Sequence, residues 1–311
     1  MTKLRSYIAI ARPDHWFKNI FMLPGMALGL YFYPGEVSQL EYLHILTAVV
    51  SICLLASANY TINEWLDADY DRHHPVKKSR PSVDGSITAT GAWSQWLILV
   101  IVGLGLAHSI GGLYLGLSVF FVMMGLAYNV PPVRTKDTAY LDVLTESINN
   151  PIRLLLGWSA VLTTLLPPSS IILAYWMGGA FLMAIKRYAE YRHIDDPAQA
   201  ALYRSSFLRY DENSLLLSAF AYALTCTFLL GIFLIKYRVE YILSFPFIAL
   251  LFVYYLSIAF KEDAVVQTPE KLYQERGFFL YSIFLVLLVT ALSLIDIPAL
   301  EILLVTLRIS A

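Results

Sequence analysis

Apolar runs long enough to cross a hydrocarbon core follow one another along the chain, with short polar stretches between them. A spanning helix needs about 20 such residues. Nine runs approach that length, near 17–32, 43–62, 92–110, 113–129, 141–164, 171–185, 215–235, 241–260 and 277–295. The pattern therefore predicts nine transmembrane helices. Arg12-Pro13 precedes the first run and no small-residue cleavage site follows it, so that run is expected to be a retained helix rather than a signal peptide. No linker or low-complexity tract interrupts the series, and residues 1–311 are expected to form a single all-α, polytopic transmembrane domain.

Composition agrees with the pattern. With 58% hydrophobic and 14% charged residues, and a mean hydropathy of +0.61, the 311-residue chain belongs in a membrane rather than among two-domain soluble proteins. A net charge of −1 without a basic tail or acidic run gives nucleic acid no footing. Cys53 and Cys226 lie inside apolar runs and are expected to be small core residues, not a disulfide framework.

Cationic residues are one-sided. Lys3, Arg5, Arg12 and Lys18 fall before or at the start of the first helix, and Arg72, Lys77, Lys78 and Arg80 follow the second. Arg134 and Lys136 follow the fourth; Lys186, Arg187, Arg192, Arg204 and Arg209 follow the sixth; Lys261, Lys271 and Arg276 follow the eighth. Only Lys236, Arg238 and Arg308 fall on the opposite side, so the bias predicts a cytoplasmic N-terminus and an outside C-terminus. Most Asp residues share the cytoplasmic loops, which places the candidate chemistry on one face.

That chemistry centres on 63–80. Asn63, Asp67 and Asp71 recur at i, i+4 and i+8, so on a continuing helix each step drifts by about 40° and rises about 6 Å, forming one polar stripe. A carboxylate at a helix centre costs about 2.5–3.5 kcal/mol in lipid, so acids at a membrane boundary face water, a cation or a ligand. Oxygen donors suit a hard divalent cation, and Mg²⁺ takes one or two carboxylates while water and substrate phosphate fill its other positions. Asn63, Glu64, Asp67 and Asp71 are candidate metal ligands, with Asp67 and Asp71 the candidate catalytic pair. With a cation bound, such acids clamp a diphosphate and neutralise it as it leaves; a solvated acidic helix end is the bland alternative. Arg72, Lys77, Lys78 and Arg80, broken by Pro75 and Pro81, are candidate phosphate donors. Positive-inside topology alone would also put them there.

The run Asn63-Glu64-Trp65-Leu66-Asp67-Ala68-Asp69-Tyr70-Asp71 resembles the first aspartate-rich motif, NDxxDxxxD, of the UbiA-type intramembrane prenyltransferase superfamily, with Glu64 where Asp is usual. The resemblance implies a UbiA-like bundle of nine transmembrane helices with a Mg²⁺-dependent site open toward the cytoplasm. Three further stretches resemble its decaprenyl-phosphate phosphoribosyltransferase branch. Arg12-Pro13-Asp14-His15-Trp16-Phe17-Lys18-Asn19 is similar to RPxxWxKN, 71–81 to DRxHPxKxxRP, and Lys186-Arg187-Tyr188-Ala189-Glu190 to KRYAE. The branch implies phosphoribosyl diphosphate as donor, a polyprenyl phosphate as acceptor and a bacterial inner membrane. It also implies Lys186 and Arg187 on substrate phosphates, and Glu190 on the metal or the ribose hydroxyls. The loop beyond Glu190 lacks the second DxxxD-type motif of the aromatic prenyltransferases, which argues for a donor other than a prenyl diphosphate.

Each stretch also has a plainer account. Trp16 and Lys18 make an interfacial anchor pair, although Lys18 could reach the lipid phosphate. Lys186 and Glu190, four apart on one helix face, can form a structural ion pair. Tyr128-Asn129-Val130-Pro131-Pro132-Val133-Arg134-Thr135-Lys136 resembles the superfamily's YxxPPxRxK loop, whose double proline ends a helix and turns Arg134 and Lys136 toward the acid stripe. Asp142, Glu146, Asn149, Asn150 and Arg153 recur at helical spacing inside the fifth run, lining a cavity or forming an Asp142–Glu146–Arg153 ion-pair network. His73-His74 has no matching His or Cys cluster for zinc.

The expected activity is phosphoribosyl transfer to a polyprenyl phosphate with release of diphosphate. Two alternatives stay open: a UbiA-type aromatic prenyltransferase using a prenyl diphosphate, and a membrane transporter or channel. Clustering of the acids at one membrane face, rather than at midplane helix breaks, disfavours the transporter. Assembly into a homo-oligomer also stays open.

Overall fold

The computed structural model describes residues 3–37, 42–72, 77–194, 196–261, 265–267 and 269–303. Every regular element among the described residues is helical. That is the expected outcome in lipid, where each backbone N–H and C=O must be satisfied within its own segment. The main helices are α1 (Lys3–Ala11), α2 (Leu23–Phe32), α3 (Tyr42–Leu66), α4 (Ala89–Ile110), α5 (Gly112–Asn129), α6 (Leu141–Ser147), α7 (Asn149–Val161), α8 (Ser169–Ile194), α9 (Glu212–Tyr237), α10 (Phe245–Ala259) and α11 (Arg276–Leu294).

Among the described residues, seven segments are long and apolar enough to cross a membrane: α3, α4, α5, α8, α9, α11 and Val239–Ala259, which contains α10. Seven spans therefore stand where nine were expected. Three of the nine apolar runs are divided; the eighth joins a 3-10 helix over Val239–Ser244 directly to α10 and still makes one of the seven, whereas the first and the fifth do not. The first is split into a 3-10 helix over Pro13–Met22 and the separate helix α2, and the fifth into α6 and α7. Prolines account for the divisions. Pro13 and Pro24 sit in the first turns of their helices, and Pro151 in the first turn of α7, where a missing N–H breaks no intrahelical bond.

The chain comprises two compact units, Met1–Pro167 with Ile194–Asp211, and Pro168–His193 with Glu212–Ala311. In the first, α3 runs beside α4, α5 and α7. Tyr114 donates to the Ala48 carbonyl at 2.6 Å, and Ser51 to the Gly103 carbonyl at 2.8 Å. The crossing of the Pro13–Met22 and α2 segments with α7 depends on glycine. A Cβ at Gly25 would lie 1.9 Å from the Leu154 carbonyl oxygen, and one at Gly157 2.0 Å from that of Met22. Helices in lipid gain little from apolar burial against each other, so close backbone approach at small residues supplies the contact.

In the second unit, Phe181 and Phe252 rings lie 4.7 Å apart, and Tyr188 meets Phe260 edge-on at 5.7 Å. Arg238 closes one end, donating to the Leu292 carbonyl and to Asp296, each at 2.9 Å. Cys53 and Cys226 are both free and buried, as expected of core residues. Large apolar side chains remain exposed on outer faces, among them Leu97, Ile98 and Ile101 on α4 and Leu217, Phe220 and Phe228 on α9. Such surfaces suit lipid contact.

Candidate active site

Helix α3 ends at Leu66, but its helical path continues. Asp67 N–H donates to the Asn63 carbonyl at 3.0 Å and Asp71 N–H to that of Asp67 at 2.8 Å, through a short helical turn over Ala68–Asp71. Asn63, Asp67 and Asp71 thus succeed one another one turn apart on a single face, in the spacing read from the sequence. Glu64 and Asp71 are buried, and Asp67 is partly open.

Cations from two other segments meet this stripe. Lys136 Nζ lies 2.5 Å from Asp67 Oδ1 and donates to Asn129 Oδ1 at 2.8 Å. Arg134 reaches the same Asp67 oxygen at 3.1 Å. Asn63 Nδ2 donates to Asp67 Oδ2 at 3.2 Å and to Asn129 Oδ1 at 2.6 Å. One step along, Arg80 pairs with Asp71 at 2.8 Å and approaches Glu64 at 3.9 Å.

The loop after α5 explains how Arg134 and Lys136 get there. Pro131-Pro132 cannot continue the helix. Arg134 N–H then donates back to the Val130 carbonyl at 3.0 Å, and a 3-10 turn over Thr135–Asp137 follows. Arg134 adopts φ of 26°, in a region where a non-glycine residue costs about 1–3 kcal/mol. Its side-chain contacts offset this cost: Asp137 at 2.9 Å, the Tyr70 ring at 5.1 Å and Asp67.

Burial would raise the Asp67 carboxyl, but Lys136, by charge and hydrogen bond, and Arg134 outweigh it and hold Asp67 below the usual carboxylate range. Burial draws the Lys136 ammonium down to about 8, with Asp67 opposing the shift and Arg134 adding to it. The site is therefore a charge-matched cluster of acids and bases at the end of a membrane-length helix.

Other predicted residues have other partners. Arg72 pairs with Asp69 at 3.5 Å on the exposed side of the same turn. The Lys77 side chain, like His73 and His74, lies outside the described residues. Lys18 Nζ stands 5.8 Å over the Tyr60 ring, while Trp16 Nε1–H donates to Ser57 Oγ on α3 at 2.8 Å. The polar stripe, for which cavity lining and an internal ion-pair network both stood open, engages three sets of partners. Asp142 accepts from Ser206 and Tyr210, Glu146 accepts from the Tyr128 hydroxyl at 2.8 Å, and Arg153 donates to Asn19 at 3.0 Å. In the second unit, Glu190 pairs with Arg187 at 3.1 Å and with Lys186 at 3.9 Å.

Asn129 is the site residue that sequence reasoning missed. It joins Asn63 to Lys136 and donates to the Gly125 carbonyl at 2.8 Å. Its signal was an amide ending an apolar run directly before the proline turn.

A sequence profile of the UbiA prenyltransferase family matches residues 21–283. The chain belongs to this family, and it is an integral membrane protein of the transferase class. The decaprenyl-phosphate phosphoribosyltransferase of Mycobacterium tuberculosis is 31% identical over 211 residues, covering 64% of this chain and 66% of that one, just under two thirds of the relative's length. Nodulation protein NoeC of Azorhizobium caulinodans is 27% identical over 214 residues, 67% of this chain and 64% of that one. A UbiA homolog from Archaeoglobus fulgidus bound to GPP and Mg²⁺ shares the fold, with a TM-score of 0.70 at 20% identity over 93% of this chain and 100% of that one.

Proposed function

We propose that the chain transfers a 5-phosphoribosyl group from phosphoribosyl diphosphate to a polyprenyl phosphate, releasing diphosphate. The carrying observation is the Asp67–Asp71 stripe facing Arg80, Arg134 and Lys136, in a chain 31% identical to a decaprenyl-phosphate phosphoribosyltransferase. The donor set suits Mg²⁺. Two carboxylates and an amide oxygen follow one another at one-turn spacing; among the described residues no three His, Cys, Asp or Glu side chains are placed together to hold a metal, so water and substrate phosphate would have to fill the remaining positions, as Mg²⁺ accepts. Asp67 and Asp71 would hold the ion, with Asn63 and Glu64 beside them. When bound, it supplies charge neutralisation to the diphosphate.

The chain's own residues do the rest. Arg80, Arg134 and Lys136 donate to phosphate oxygens, Arg through paired N–H groups and Lys as a point charge. Lys18, Arg72 and Lys77 are further candidate phosphate donors by their charge and place in the chain, and Lys186, Arg187 and Glu190, which belong to the second unit, keep the roles that the resemblance implies. An oxygen of the acceptor phosphate attacks ribose C1 as the bond from C1 to the diphosphate oxygen breaks, through an oxocarbenium-like state and with inversion. That oxygen is already anionic, so no strong general base is required. Proximity and fixed charge account for the acceleration. The whole chain acts as one catalytic domain, with its N-terminus on the cytoplasmic side of a bacterial inner membrane.

A second reading, prenyl transfer from a prenyl diphosphate to an aromatic acceptor, is favoured by a likeness to the 4-hydroxybenzoate octaprenyltransferase of Shewanella sediminis, 25% identical over 126 residues, 40% of this chain and 43% of that one. Purified protein in detergent with Mg²⁺ separates the two. Release of diphosphate from phosphoribosyl diphosphate only when polyprenyl phosphate is present supports the first. Release from geranyl diphosphate with an aromatic acceptor, and none from phosphoribosyl diphosphate, supports the second.

A further inference from the structure

We propose that Asp142 and Tyr210 are positioning residues: they clasp the 204–210 segment onto the loop that carries Arg134 and Lys136, and so set where those cations stand. The proposal rests on the assignment of Arg134 and Lys136 to the substrate phosphates.

Asp142 is fully buried. It accepts from Tyr210 Oη at 2.8 Å and Ser206 Oγ at 3.1 Å, with an Arg204 guanidinium nitrogen 4.0 Å away. Removing a buried carboxylate from water is costly unless its oxygens are satisfied, and here the segment that returns from α8 supplies the donors. Tyr210 extends the chain of contacts. Its hydroxyl accepts the Tyr140 backbone N–H at 2.5 Å, and the two rings meet edge-on at 5.2 Å.

Tyr140 holds a φ of 67°, where a bulky residue is strained. It lies four residues after Lys136, and the loop between is short and tightly bonded: Thr138 N–H donates to the Thr135 carbonyl at 3.1 Å, and Asp142 N–H to that of Thr138 at 2.9 Å. A shift at Tyr140 therefore passes to Lys136 with little slack. Arg204 belongs to the same arrangement, because its charge acts on both Asp67 and Lys136. The clasp thus joins a segment with no residue on the acid stripe to the cations that face it.

Tyr210→Phe is the sharper variant, because it keeps the ring and deletes one hydroxyl; Asp142→Asn is the second. Both are compared with wild type by size-exclusion profile, thermal unfolding in detergent, hydrogen exchange of the 130–142 and 204–210 peptides, and steady-state kinetics. The expected result for Tyr210→Phe is a monodisperse protein in which both peptides lose protection together, with the donor KM raised about tenfold and kcat within threefold. Unchanged protection in both peptides, or a fall in kcat at constant KM, overturns the proposal. The exchange measurement needs no substrate. If phosphoribosyl diphosphate proves not to be the donor while both peptides lose protection, the functional assignment fails and the clasp stands.

Discussion

The turn that follows α3 carries the same chemistry on two faces with opposite consequences. On one, Asp67 and Asp71 are 25% and 4% exposed; Lys136 and Arg134 reach Asp67 from more than 60 residues away, and Arg80 reaches Asp71 from nine. On the other, Asp69 and Arg72 form an ion pair three residues apart, 86% and 61% exposed. Residue type does not separate these faces. Solvent does: an exposed pair is screened and contributes about 0–1 kcal/mol or less, whereas charges withdrawn from water depend on their partners. Charge on the buried face is therefore expected to contribute more to holding a charged substrate than charge on the exposed face, although sequence spacing alone makes both look like motif.

The largest expected effect is at the carboxylates. Asp67→Asn or Asp71→Asn should lower kcat by about 10²-fold or more, roughly 2.7 kcal/mol of transition-state stabilisation, with the protein still inserted and monodisperse. Retention of full turnover would erase the distinction between the faces. Next come the cations. Lys136→Met or Arg80→Met should raise the donor KM about tenfold, and a rise in KM for Arg72→Met as large as theirs would show that exposure is a poor guide. A subtler effect is the titration of Lys136. In a ¹³C-methyl-labelled protein without added metal, one lysine signal, missing in Lys136→Arg, should titrate with a midpoint near 8, ammonium below and neutral amine above. A midpoint near 10.5 would mean the site is wetter than its geometry indicates. The smallest effect belongs to Asp69→Asn, expected to leave kcat/KM within about twofold.

Much of this was legible in the sequence, for identifiable reasons. Long apolar runs without prolines became uninterrupted helices, because length and hydropathy suffice when lipid is the solvent. The Asn63–Asp67–Asp71 stripe was readable because helical periodicity carries across the end of α3. The divided runs were not foreseen, since Pro24 and Pro151 sit within apolar stretches that hydropathy treats as continuous. Pairings across the fold were hidden for a different reason. Nothing local in Asp142 distinguishes an ion pair along its own helix from acceptance of hydroxyls more than 60 residues away. Asn129 was passed over because an amide lacks charge, although its two-sided hydrogen bonding is what joins Asn63 to Lys136.

The central claim is that Asp67 and Asp71 serve the departure of diphosphate from a ribose donor. Its most direct test follows inorganic diphosphate from radiolabelled phosphoribosyl diphosphate, using the purified protein with Mg²⁺ and decaprenyl phosphate. The account predicts release that requires the lipid and stops on chelation, together with a labelled lipid product absent in Asp67→Asn and Asp71→Asn. A labelled lipid formed at the wild-type rate by both variants, or none formed by the wild type while geranyl diphosphate is consumed, would contradict it.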